Sequence, residues 1–260
     1  MADIEKILDN LNLPKQLLDK SEALLKTLFG PSFEELGGLI ADQVRLRSFN
    51  NQINIFSKAQ EKLRQNKIEP QKVSLKVLAP LIEYSSFEEE ENLQDKWSNL
   101  IAHILGGDKE IVFQQNCITI LNRLSAEEAK LLDRLHDILV KRRIEQHEKE
   151  VEQKERWKIQ YPSLYKTILK KPEELSLDSF TFNITGLSKD INIPASELEF
   201  SISNLISLGL LKWETDVQVE ATKSSGDPED TGIDVDVNVY NNDDFIFTSI
   251  GDKFIKICKE

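Results

Sequence analysis

Three things are scarce in this 260-residue chain, and each scarcity removes a class of function. There are only two cysteines and three histidines. Cys117 and Cys258 stand far apart with no CxxC spacing, and His103, His136 and His147 form no tight group. A zinc site draws three or four such ligands from close clusters, so no metal and no cofactor is expected. Unpaired, scattered cysteines fit a reducing cytosol. Long apolar runs are also missing: none approaches the roughly 18 residues that span a membrane. Met1 to Lys20 is studded with Asp, Glu and Lys and has no signal-peptide core. The expectation is a cytoplasmic protein. Last, the chain has no GxGxxG or GxxxxGK[ST] phosphate loop, no HExxH and no GxSxG elbow. No catalytic residue is assigned on these grounds.

What is present is a helical pattern with enough apolar residues, 40%, to build a core. Apolar positions recur at helical spacing in 4–29, interrupted by Pro14 and stopped by Gly30-Pro31. A second stripe runs from about Phe33 to Asn66 through Ile40, Val44, Ile55, Ala59 and Leu63. Val73 to Tyr84 reads as a short or kinked helix around Pro80. Ser86-Phe87-Glu88-Glu89 has the form of a capping box opening a helix through Leu93, Trp97, Leu100, Ile101 and Ile104. Ile111 to Leu121 is a further helix. A second capping box, Ser125 to Glu128, opens one carrying Leu131, Leu132, Leu135 and Leu139. That helix runs into Lys141 to Lys158, whose few large apolar residues and i,i+4 charge pairs mark a solvent-exposed connector.

Past Pro162 the pattern changes. Leu164 to Leu169 reads as a short helix, and Ile193-Pro194 opens another that stops at Gly209. Strict alternation follows. Leu211, Trp213, Val217 and Val219 share one face, as do Ile233, Val235, Val237 and Val239, which predicts two half-buried strands joined by the loop Ala221 to Gly232. Phe245 to Thr248 reads as a third strand and Ser249 to Cys258 as a last helix. Two helices and a long-looped hairpin are the order of a winged helix. The predicted fold is therefore mainly α: a helical domain over 1–160 with a charged connector at its end, then a small α+β winged-helix-like domain over 161–260. From Tyr161 onward the chain has 9 Lys/Arg against 18 Asp/Glu, so the winged-helix part carries most of the net charge of -12.

That charge bears on function. The recognition-helix position, Pro194 to Leu208, contains Glu197 and Glu199, no Lys or Arg, and Asn204 as its one base-reading side chain. Nucleic acid is not the expected partner; protein is, a second copy included. Asp234, Asp236 and Asn238 have calcium-loop spacing, but the glycine such a loop needs is Val239 and the register is a strand, so they read as the polar face of a hairpin. The Glu88 to Glu91 run reads as capping before it reads as a metal or acid-base site. The first thirty residues mix Asp and Glu with lysine, unlike a membrane-surface helix. Trp97 and Trp213 read as core. Trp157, on a charged helix, is either an interface anchor or a cover for the next domain.

Several stretches resemble the abortive infection alpha family, a bacterial family. They are Leu36-Gly37-Gly38-Leu39 with Asp42-Gln43; Asn50 to Ile55; Ile68-Glu69-Pro70; Lys76 to Leu81; and Glu88 to Leu100 with its Leu93-Gln94, Trp97 and Leu100. Leu205, Leu208-Gly209-Leu210 and Thr248, Gly251, Phe254, Cys258 extend the likeness toward the C-terminus. The resemblance implies defence against bacteriophage, in which an infected cell stops growing or dies before progeny spread. It carries no agreed catalytic residues. Asn50 and Gln52, polar within an apolar helix, are either buried and hydrogen-bonded or partner contacts, and with Trp157 they are the candidate interaction residues. The leading expectation is a non-enzymatic phage-defence protein acting by protein contact. The alternatives are a winged-helix DNA-binding regulator, a metal-dependent nuclease assembled from distant carboxylates, and a membrane-disrupting protein.

Overall fold

The computed structural model describes residues 23–30, 46–107, 110–160, 170–223 and 233–259. They divide into two compact units. One holds the chain up to Asp133 together with Phe254–Glu260; the other is Arg134–Lys253. The expected helices before Ala23 and the Leu36 to Gln43 pieces lie outside the described residues, as does the short helix read at 164–169.

In the first unit, residues 23–29 are helical. There follow α1 (Leu46–Gln65), α2 (Leu75–Ser86), α3 (Glu91–Leu105), α4 (Ile111–Arg123) and the start of α5 (Ala126–Gln160). The apolar stripes meet in one core. Ile55, Phe56, Leu78, Leu81, Trp97, Leu100 and Ile101 are almost wholly buried, and Phe29 stands edge-on to Phe56 at 5.5 Å. Pro80 sits inside α2. A proline cannot donate to the carbonyl four residues back, here that of Lys76; this carbonyl instead accepts from Gln115 Nε2 on α4 at 3.4 Å. The carbonyl that Pro80 leaves without its helical donor is thereby given a partner.

Of the two expected capping boxes, the structure keeps one. Glu128 N–H donates to Ser125 Oγ at 3.2 Å and Ser125 N–H to Glu128 Oε2 at 2.9 Å, the reciprocal pair that opens α5. The Ser86 box does not form. α2 continues through Ser86, whose hydroxyl donates back to the Glu83 carbonyl at 2.6 Å. α3 starts only at Glu91, with Glu90 as its cap and Glu91 beside its positive end. The buried Val77, Leu78, Leu81 and Ile82 carry α2 further than local capping chemistry alone indicates.

The second unit continues α5 and adds β1 (Phe182–Asn183), α6 (Ile184–Ile191), α7 (Ala195–Ser207), β2 (Leu211–Lys223) and β3 (Ile233–Phe247), then the start of α8 (Ser249–Lys259). The sheet order is β1-β3-β2, all antiparallel. Strand, two helices and a hairpin make the winged-helix order, though β1 and α6 were not expected from the sequence. Phe245 to Thr248 is not a separate strand either: through Phe247 it is the end of β3. Phe182 stacks on Phe245 at 5.6 Å, and Phe245, Phe247, Leu198, Ile202, Leu205 and Leu211 form the core. Arg142 of α5 donates to the Thr181 carbonyl at 2.9 Å and lays its guanidinium 4.7 Å over the Phe182 ring.

Two backbone devices close this unit. Gly209 adopts φ +75° after α7, and the bonds Leu210 N–H to Leu205 O and Gly209 N–H to Ile206 O complete a Schellman turn. At the start of α8, Thr248 Oγ donates to the Gly209 carbonyl at 2.6 Å and accepts from Gly251 N–H at 2.9 Å. Gly251 lies directly against the Leu210 carbonyl, where a Cβ has no room.

Candidate functional site

The three residues singled out from the sequence have different fates. Asn50 is exposed on α1. Gln52 is 1% exposed, and its Oε1 has no hydrogen-bond partner among the described residues. Trp157 is 60% exposed near the end of α5, with Ile159 beside it at 83%. Asn50 and Gln52 belong to the first unit and Trp157 to the second.

Around Gln52 lies a half-buried polar cluster. The neighbouring Asn51 donates to the Ser86 carbonyl at 3.4 Å and accepts from Gln94 Nε2 at 3.5 Å; Gln94 also donates to the Glu88 carbonyl at 2.9 Å. Glu88 Oε1 accepts from Glu90 N–H at 3.0 Å. Burial raises the Glu88 carboxyl above its ordinary value, and that N–H and the Trp97 indole partly oppose the rise. The indole N–H is buried and close enough to favour the carboxylate, without a hydrogen bond of standard geometry. The cluster ties α1, the end of α2 and the start of α3 together.

In the second unit Arg143, 5% exposed at its side chain, donates Nη1 to Asp252 Oδ1 at 3.0 Å, and His136 Nε2 lies 3.9 Å from the same oxygen. Sequence spacing gives no hint of this grouping, because Arg143 and Asp252 are 109 positions apart. A polar cleft of about 570 Å³ opens beside them, bounded by Lys212, Asp178 and Glu173. Its cations are already matched: Arg143 by Asp252, and Lys212 by Asp178 at 3.2 Å. Among the described residues no three His, Cys, Asp or Glu side chains gather as a metal site, and no helix is long and apolar enough to cross a membrane.

The least expected surface is the distal hairpin. Trp213 pairs with Phe245 and Thr215 with Asn241, so three residues of β3 stand opposite Glu214 alone, with Asp243 at φ +54°. This bulge bends the ribbon and increases its twist. β1 pairs only with Phe245 and Asp244. Beyond it β2 and β3 continue as two strands in unbroken register to Lys223↔Ile233. The 13 residues of β2 span roughly 43 Å, against roughly 20 Å for the 13 residues of α7. The ribbon therefore outruns the helices that would cover it. Val219, Val235 and Val237 are 60%, 56% and 57% exposed, which corrects the expectation of half-buried strands; Trp213, expected in the core, is only half-buried. Val219 pairs with Val237 and Ala221 with Val235, so the apolar side chains form one ladder. On the other face Glu220 stands opposite Asp236, both exposed, an arrangement of like charges that weakens an isolated ribbon.

The model of the family described as abortive infection alpha matches residues 41–258. No curated protein matches the chain, and no solved structure does.

Proposed function

Because the chain belongs to the abortive infection alpha family, we propose that it is a cytoplasmic phage-defence protein that arrests the infected cell by binding another protein, of phage or host, and not by catalysis. The exposed valine ladder of the ribbon carries this reading. Val219, Val235 and Val237 stand in water on an extended two-stranded arm. Burying each against a partner contributes on the order of 1.5 kcal/mol or more. Among the described residues no strand pairs with the outer edge of β2, so its backbone groups are available to a partner's strand as well. The facing carboxylates Glu220 and Asp236 favour a partner with Lys or Arg there. The DNA-binding alternative finds little support: α7 has no basic residue and exposes Glu197, Glu199 and Phe200.

The test is phage plating on bacteria expressing the chain or its Val219→Asp/Val237→Asp variant, with circular dichroism to establish that the variant is folded. We expect the folded variant to lose protection, plaque counts rising about tenfold or more, and to lose the partner that the parent chain captures during infection. Full protection by the folded variant overturns the ribbon as the contact surface.

A further inference from the structure

We propose that the outer edge of β2 takes up an extended segment of the partner as a further strand, and that this segment sets Lys or Arg between apolar residues. The inference rests on the reading of the ribbon as the contact surface and adds what the partner presents to it.

Three observations on the ribbon call for the same occupant. The first is the edge. β2 is the last strand of the sheet, and from Val219 to Thr222 it pairs with β3 alone among the described residues. Every other residue of an antiparallel strand points its N–H and C=O away from its neighbour, so this stretch offers a row of unused donors and acceptors. The second is the pair Glu220 and Asp236. They face each other, both exposed, and neither meets a Lys or Arg among the described residues. A cation beside them relieves the opposition of like charges. The third is the apolar face, where Val219, Val237 and Val235 stand in water with Ala221 exposed between them.

Sheet geometry joins the three. Side chains alternate between the faces of a strand, and residues opposite each other on neighbouring strands share a face, roughly 5 Å apart. A strand laid against β2 therefore sets the residue opposite Glu220 on the carboxylate face. Its two neighbours in sequence come opposite Val219 and Ala221 and widen the valine ladder. The pattern that suits both faces is apolar, basic, apolar. A slip of one residue puts the cation over the valines and the apolar groups beside the carboxylates, so register is specified as well as composition. A second copy of this chain lacks that chemistry. Two copies paired antiparallel at this edge bring their carboxylates onto one face, which deters self-pairing.

The experiment is titration calorimetry of the full chain with a short peptide alternating valine and lysine. The comparison peptides are one of the same composition with the lysines in a block, and one alternating valine and glutamate. We expect saturable one-to-one binding of the valine–lysine peptide and binding about tenfold or more weaker for both others. Methylating alternate peptide nitrogens in one register is expected to abolish binding, and in the other register to leave it. A Glu220→Lys/Asp236→Lys variant, folded by circular dichroism, is expected to reverse the preference toward the valine–glutamate peptide. No saturation at millimolar peptide overturns strand addition. So does equal binding of the block peptide, or a preference unchanged by the charge reversal. If it fails while the folded Val219→Asp/Val237→Asp variant still loses protection, the ribbon remains a contact surface engaged by its valine face only. Full protection by that valine variant removes the contact surface itself.

Discussion

At position 251 a single hydrogen atom decides the packing. Gly251 rests against the Leu210 carbonyl, and a methyl group there collides with backbone that the Schellman turn at Gly209 already fixes. Neither side can yield cheaply. Gly251→Ala is expected to lower stability by about 3 kcal/mol, toward the upper end of overpacking costs, measured by urea denaturation. A loss under about 1 kcal/mol would mean that the turn gives way. Glu88 offers a test in pH. Its burial raises the folded-state pKa above 4.5, so the charged form is disfavoured in the fold. The resulting penalty is present above the folded pKa, shrinks as pH falls through it, and is gone below the ordinary value. Glu88→Gln is therefore expected to raise Tm at neutral pH, with the gain vanishing in acid. A Tm gain that persists at low pH, or a loss at neutral pH, contradicts this account of Glu88.

Among the elements, α5 shows the value of a local signal that tertiary structure leaves intact. Its Ser125 and Glu128 exchange hydrogen bonds as the sequence foretells. Ser125→Ala is expected to cost about 1 kcal/mol, read as a shift of the urea midpoint with unchanged slope; no shift would show that packing alone sets the start of this helix. The Ser86 motif has the same spacing of Ser and Glu and fails, because Ser86 is buried at the end of α2 and bonds backward. A capping box is legible only where the chain before it is free to stop. β1 and α6 escaped notice for a different reason. Two residues are too few to show alternation, and the eight of α6 carry a glycine at 186. Their anchor is Asn183, which accepts from Gly186 N–H at 3.1 Å and donates to Asp244 across the sheet at 2.6 Å.

For the whole molecule, charge and periodicity were informative and contact was not. The sequence by itself determined that the chain is mainly helical with a small antiparallel sheet, because apolar spacings of three and four, then of two, permit little else. It also determined an acidic C-terminal part, and through Glu88 to Leu100 and the other matching stretches it pointed to the family. Tertiary structure alone decided which apolar and polar residues are covered. Alternation gave each ribbon valine an inward face, yet a two-residue β1 and the bulge at Asp243 leave Val219, Val235 and Val237 in water. Gln52 and Asn50 are equally polar in sequence, and only packing buries one and exposes the other. Arg143 with Asp252, and Asn99 with Cys258, come together across more than a hundred positions. Local spacing records the period of an element; it does not record what the fold brings to the element's far side.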